Sequence, residues 1–142
     1  MCYVVWLSTT SEVDLSVRSS DLVRFSKDEP RLDGVAMLQY ANKWYVGSSS
    51  GCSCSFRHLY IDSVDLGFGP PVEWYSEEPG HVEATRRFMA IVRELSTRTD
   101  RVDCVALWND ADPGSIRSLT VRLDEVADEA FRFFENHYFA FS

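Results

Sequence analysis

"HVEATRRFMAIVRELSTRTDRVDCVALW", residues 81–108, changes its period part-way along, and that change decides the fold. Between His81 and Arg98 the apolar residues Phe88, Ile91, Val92 and Leu95 recur at i, i+3, i+4 and i+7. Arg86, Arg87, Arg93 and Glu94 fall elsewhere on the wheel, so the segment is an amphipathic helix with one face for a core. From residue 102, "VDCVALW" is an almost unbroken apolar run, the pattern of a core strand. Ser76, Glu77, Glu78 and Pro79 supply a helix start.

On the N-terminal side, "GFGPPVEWYSEEPG" at 67–80 holds too many glycines and prolines for regular structure and reads as a connection between two layers. "CYVVWL" at 2–7 suits a strand covered on both faces in the middle of a sheet, and "LVRFS" at 22–26 alternates as a half-exposed strand. "KDEPRLDG" at 27–34 is a loop, while "VAMLQY" at 35–40 is open between strand and short helix. "KWYVGSS" from 43 is a strand, and "FRHLYID" from 56 is expected to continue or pair with it. On the C-terminal side "NDADPG" at 109–114 is a turn, and "RSLTVRL" at 117–123 is a strand with one wet face. "FRFFENHYFAF" at 131–141 suits a hairpin turning at 135–137 better than a helix, because its aromatic content is that of a strand. The expected fold is therefore α+β: a single domain over residues 1–142, with a mainly antiparallel sheet carrying one long helix on one face.

The chain's 142 residues, 45% hydrophobic and 13% aromatic, are enough to build one core. Its formal net charge is −8, from 22 acidic against 14 basic residues, and only Arg86 and Arg87 approach a basic cluster. That argues against nucleic acid and against an anionic membrane surface as partners. No apolar run approaches the roughly 20 residues that span a bilayer, and "MCYVVWLSTT" has neither a basic leading segment nor a cleavage site. The expected location is the cytoplasm, where Cys2, Cys52, Cys54 and Cys104 are thiols rather than disulfides.

The chemistry-bearing stretch is "YVGSSSGCSCSF", residues 45–56. Cys52 and Cys54, completed by Cys2, Cys104 or His58, have the ligand types of a zinc site, although a single pair at this short spacing is not the usual knuckle. The alternative is that Cys2 and Cys104 sit in core strands as small hydrophobes. Cys52 or Cys54 also qualifies as a reactive thiol after a glycine-rich turn, with Arg57 and His58 nearby in sequence. In an extended strand Cys54 and His58 would stand about 13 Å apart, so that reading needs a bend. Cys2, exposed by removal of Met1, resembles the opening of glutamine amidotransferases on those two residues alone, with Tyr3 in place of their glycine. "GSSSG" at 47–51 lacks the Gly-Lys-Ser/Thr ending of a phosphate loop, and "HVE" at 81–83 lacks the downstream cysteines of a zinc deaminase. Asp110, Asp112, Glu77 and Glu78 do not have calcium-loop spacing and read as solvated carboxylates.

Cys2, Tyr45 to Gly47, Gly51, Cys52, Cys54 and Phe56 resemble a group of small, functionally uncharacterised bacterial proteins that share a Gly-Cys-x-Cys-x-Phe motif. Glycines are expected in that group where this chain has Ser53 and Ser55. The resemblance implies no activity. Two functions stay open: a thiol or metal site at Cys52 and Cys54, or a noncatalytic interaction or homodimerisation domain. The second would use the aromatic residues Trp44, Trp74 or those of 131–141 to meet a protein partner.

Overall fold

The computed structural model describes residues 3–28, 33–49, 51–72, 77–108 and 111–142, and of residues 61–63 the backbone only. Its strands are β1 (Tyr3–Thr9), β2 (Val23–Ser26), β3 (Asn42–Ser48), β4 (His58–Leu59), β5 (Val102–Trp108), β6 (Arg117–Val121), β7 (Phe133–Phe134) and β8 (His137–Phe141). The one long helix is α1 (Pro79–Thr97). Six strands form one sheet in the order β2-β3-β1-β5-β8-β6, antiparallel throughout except for the parallel pair β6 and β8. The fold is α+β, with the two most apolar runs, β1 and β5, side by side at the centre.

Side chains alternate across this sheet as the pleat requires. Tyr3, Val5 and Leu7 of β1, Cys104 and Ala106 of β5 and Phe139 of β8 point to one face, where Phe88, Met89, Val92 and Leu95 of α1 complete the main core. The stripe read from residues 81–98 is thus the buried face of the helix. Trp6, Tyr45, Val105, Leu107 and Tyr138 point to the other face, covered by Val35 and Leu38. Those two residues belong to the "VAMLQY" stretch, whose first part lies in a 3-10 turn, Asp33–Met37, rather than in a strand.

Three expectations change. Residues 56–62 do not extend or pair with β3: only β4 is extended, and it pairs in parallel with β7 in a separate two-stranded sheet. A 3-10 turn at Ser53–Ser55 carries the chain out of the main sheet before it can form a hairpin. The C-terminal turn does fall at Glu135 and Asn136, with Asn136 in the left-handed region at φ 55°. Its two arms, however, enter different sheets. The helix start also differs in detail, since Glu78 is the N-cap residue without a side-chain cap bond and Ser76 lies outside the described residues.

Two of the three aromatic surfaces expected to meet a partner are interior. Trp44 is 5% exposed and packs in the main core, while Phe131, Phe133, Phe134, Tyr138 and Phe139 are buried. Trp74 lies outside the described residues. Among the described residues no helix is long and apolar enough to cross a membrane.

Candidate functional site

The Cys-x-Cys turn is pinned from beneath by serine hydroxyls. The Ser53 hydroxyl accepts from the Val5 N–H at 2.9 Å and donates to the Val46 carbonyl at 2.5 Å, so it joins β1 to β3 at the point where Val5 and Val46 face each other. The Cys52 carbonyl accepts from both the N–H of Ser48, at 2.7 Å, and its hydroxyl, at 2.5 Å. Two glycines make this return possible. Gly51 has φ +90°, and a Cβ on Gly47 would stand 2.7 Å from the Gly51 carbonyl oxygen. With Ser53 fully buried between them, Cys52 and Cys54 are both left half-buried.

The 3-10 turn at Ser53–Ser55 breaks the extended course of the chain between Cys52 and His58. Tyr3, fully buried in β1, stacks its ring on His58 with centroids 4.7 Å apart and meets Trp108 edge-on at 5.6 Å. The Tyr3 phenol is held well above its usual range, first by burial and then by the neighbouring Cys104, Glu135 and Cys54 groups. That hydroxyl is buried and has no hydrogen-bond partner among the described residues.

His58 is half-buried, with Nδ1 3.0 Å from the Phe56 carbonyl oxygen. A carbonyl only accepts, so Nδ1 carries the hydrogen and Nε2 of the neutral ring carries the lone pair. Burial holds the imidazole below its ordinary range; the Phe56 bond opposes this in part, and His81 adds to it. The ring is accordingly a neutral base at physiological pH.

Cys104 faces this site from β5 but is fully buried, and burial followed by the adjacent Asp103 raises its thiol well above the usual value. Among the described residues no group of three or more His, Cys, Asp or Glu side chains is placed to hold a metal ion. Cys2, the remaining ligand of the expected set, lies outside them.

Arg57, close to the cysteines in sequence, and Glu77, which reads as a solvated carboxylate, are instead committed to each other. Glu77 lies between Arg57 and Arg132, with contacts of 2.7 Å to Arg57 Nε and 2.9 Å to Arg132 Nη2. The remaining guanidinium hydrogens go to main-chain oxygens of Gly67, Gly69, Pro70, Glu129 and Phe131. Burial alone would raise the Glu77 carboxyl, but hydrogen bonds and charge from the two arginines outweigh it and hold it low. Glu78 instead meets His81 at 3.3 Å, and Asp112 accepts from the Gly114 N–H at 3.0 Å. Asp110 lies outside the described residues.

Sequence reasoning missed Tyr3 and Glu135. Tyr3 sits in an apolar run where its ring alone explains its presence, and Glu135 lies in a turn 132 positions later, so neither carries a local signal. Comparison with protein-family models, with curated proteins and with solved structures finds no match to this chain.

Proposed function

We propose that this chain is a cytoplasmic thiol protein whose working group is Cys54, engaging in thiol–disulfide exchange with a small disulfide. The observation that carries the reading is the Tyr3 hydroxyl, buried without a partner among the described residues, with its ring stacked on His58 and with Cys104, Glu135 and Cys54 among the groups whose charge acts on it. Holding such a donor unpaired costs about 1–3 kcal/mol, and a sulfur that becomes anionic beside it recovers that cost. His58, neutral with its lone pair on Nε2, is the group suited to take the thiol proton.

The exchange balances without a further reactant. The Cys54 thiolate attacks one sulfur of the disulfide RSSR, a Cys54–SR bond forms, the S–S bond breaks, and RS⁻ leaves with the electron pair. Cys52, half-buried and two residues away, then attacks the Cys54 sulfur and releases a second RS⁻. The small ring so closed is strained, which makes the protein disulfide easily reduced.

Reaction with dithiobis-nitrobenzoate, which releases a coloured thiolate, tests this on the native chain. Cys54→Ser is expected to abolish the fast phase, and Tyr3→Phe to slow it while leaving thiol counts in denaturant unchanged. A fast phase that survives Cys54→Ser, or stoichiometric zinc with all thiols blocked until chelation, overturns the proposal.

A further inference from the structure

The main sheet ends in two edges, β2 and β6, and the chain treats them differently. At β2 the outward main-chain groups are taken up from within. The Val23 carbonyl accepts from the Ser20 N–H at 2.7 Å, the Val23 N–H donates to the Ser20 hydroxyl at 3.4 Å, and the Phe25 N–H donates to the Ser19 hydroxyl at 3.0 Å. Closure of this kind keeps an edge from recruiting another strand. At β6 the outward groups are left open. The Arg117 N–H donates to the Asn136 carbonyl, the Val121 carbonyl accepts from the Ser142 N–H, and the Leu123 N–H donates to the Ser142 carbonyl, so the odd-numbered residues face β8. In a trans peptide the C=O and the next N–H point opposite ways. The carbonyls of Ile116, Ser118 and Thr120 and the N–H groups of Ser118, Thr120 and Arg122 therefore point away from the sheet, and none has a partner among the described residues. Ser118, Thr120 and Arg122 are exposed.

This array has definite ends. The Ile116 N–H is bonded to the Pro113 carbonyl, and the Arg122 carbonyl accepts from the N–H groups of Glu125 and Val126. Three acceptors and three donors remain, placed symmetrically about Leu119, and such an array is its own complement. We propose that β6 pairs antiparallel with β6 of a second copy about a two-fold axis at Leu119, making the sheet continuous across a homodimer. Ser118 of one copy then exchanges both of its bonds with Thr120 of the other, and the Arg122 N–H reaches the Ile116 carbonyl, so all six outward groups are satisfied. The side chains agree with this register. Leu119 meets its own copy, the hydroxyls of Ser118 and Thr120 stand opposite each other, and Arg117 falls opposite Val121, with no like charges opposed. An extended peptide of another protein would find the same groups, but only a second copy begins and ends on the residues where this array does. No cysteine lies on β6, so the pairing is independent of the thiol chemistry.

An edge of this length buries little surface, so the dimer is expected to be weak, with a dissociation constant of about 10–100 µM. Sedimentation velocity of the full chain from 1 µM to 500 µM, numbers chosen on the order of that range, is expected to pass from monomer to dimer. Thr120→Pro removes an N–H that points outward and leaves the bonds to β8 in place, and it is expected to weaken the dimer at least tenfold. Leu119→Cys, made with Cys52→Ser and Cys54→Ser, reports the register without relying on that variant's fold. The two new thiols face each other across the axis, and mild oxidation is expected to link the copies faster than with Ser118→Cys or Thr120→Cys in the same background. A monomer throughout the range, a dimer unchanged in a folded Thr120→Pro, or crosslinking no faster at position 119 than at 118 and 120 overturns the proposal.

Discussion

Ser53 shows how one small side chain can set a site. Its hydroxyl serves the Val5 N–H and the Val46 carbonyl together, so Ser53→Ala leaves two buried main-chain groups with a partner missing. The expected loss is about 2–3 kcal/mol, read as a lower urea midpoint at unchanged slope. Ser53→Gly would lose the same two bonds. The cysteines themselves stood out in the sequence because packing does not require two of them beside a glycine turn. Tyr3 did not, because an aromatic residue in a central strand is accounted for by its ring, and only the folded chain shows where its hydroxyl ends. His58 has a measurable consequence of its own. Its folded pKa lies below the ordinary 6.5, so as pH falls the unfolded chain takes up the proton first and stability declines. The decline starts near the unfolded value and ends once the folded imidazole is also protonated. Urea midpoints measured from about pH 7 to pH 5 are expected to fall, and to fall less in His58→Gln.

At the scale of elements, Glu77 ties the segment ahead of α1 to the two pieces of chain that pair as β4 and β7. Arg57 leads into β4, Arg132 leads into β7, and Glu77 stands just ahead of α1. Thr85 adds a second tie, accepting from the Arg57 N–H at 2.8 Å while its own hydroxyl donates to the His81 carbonyl. Glu77→Gln keeps the shape but leaves two buried guanidinium groups without a counter-charge. It is expected to cost about 3–5 kcal/mol in chemical denaturation, well beyond the loss from the exposed Glu83 pairing with Arg86 and Arg87. Helix α1 was legible because its stripe is local, repeating every third or fourth residue. This ion cluster was not, since its members are 20 and 55 residues apart and no periodicity links them. The short parallel pair of β4 and β7 escaped for the same reason: two residues are too few to display alternation.

Across the whole molecule, the sheet divides into a helix-covered face and a smaller face held by a polar anchor. Asp103, fully buried in β5, accepts from the Ser8 hydroxyl, the Gln39 N–H at 3.0 Å and the Tyr138 hydroxyl at 2.6 Å, tying β1, β8 and the covering segment to one carboxylate. The alternating runs revealed which strands exist, whereas their order depends on contacts between distant residues such as Ser8 and Asp103. This arrangement sets the alkaline limit of the fold. Tyr138 is raised by burial and then by its bond to Asp103, Tyr3 by burial and its acidic neighbours, and Cys104 by burial and Asp103. For each of these acids the folded pKa exceeds the unfolded one, near 10 for the phenols and 9 for the thiol. The unfolded chain therefore releases protons first as pH rises, and stability is intact below about pH 9 and lost above it. Tyr138→Phe removes one of these groups along with a hydrogen bond to a charged partner, about 1.5–3 kcal/mol at neutral pH. Urea midpoints should then be lower in the variant at pH 8 yet fall less steeply between about pH 9 and pH 11. Amide exchange at Gln39 and Tyr40 should accelerate more than in the middle of β1 and β5, because the segment released is the one that Asp103 anchors.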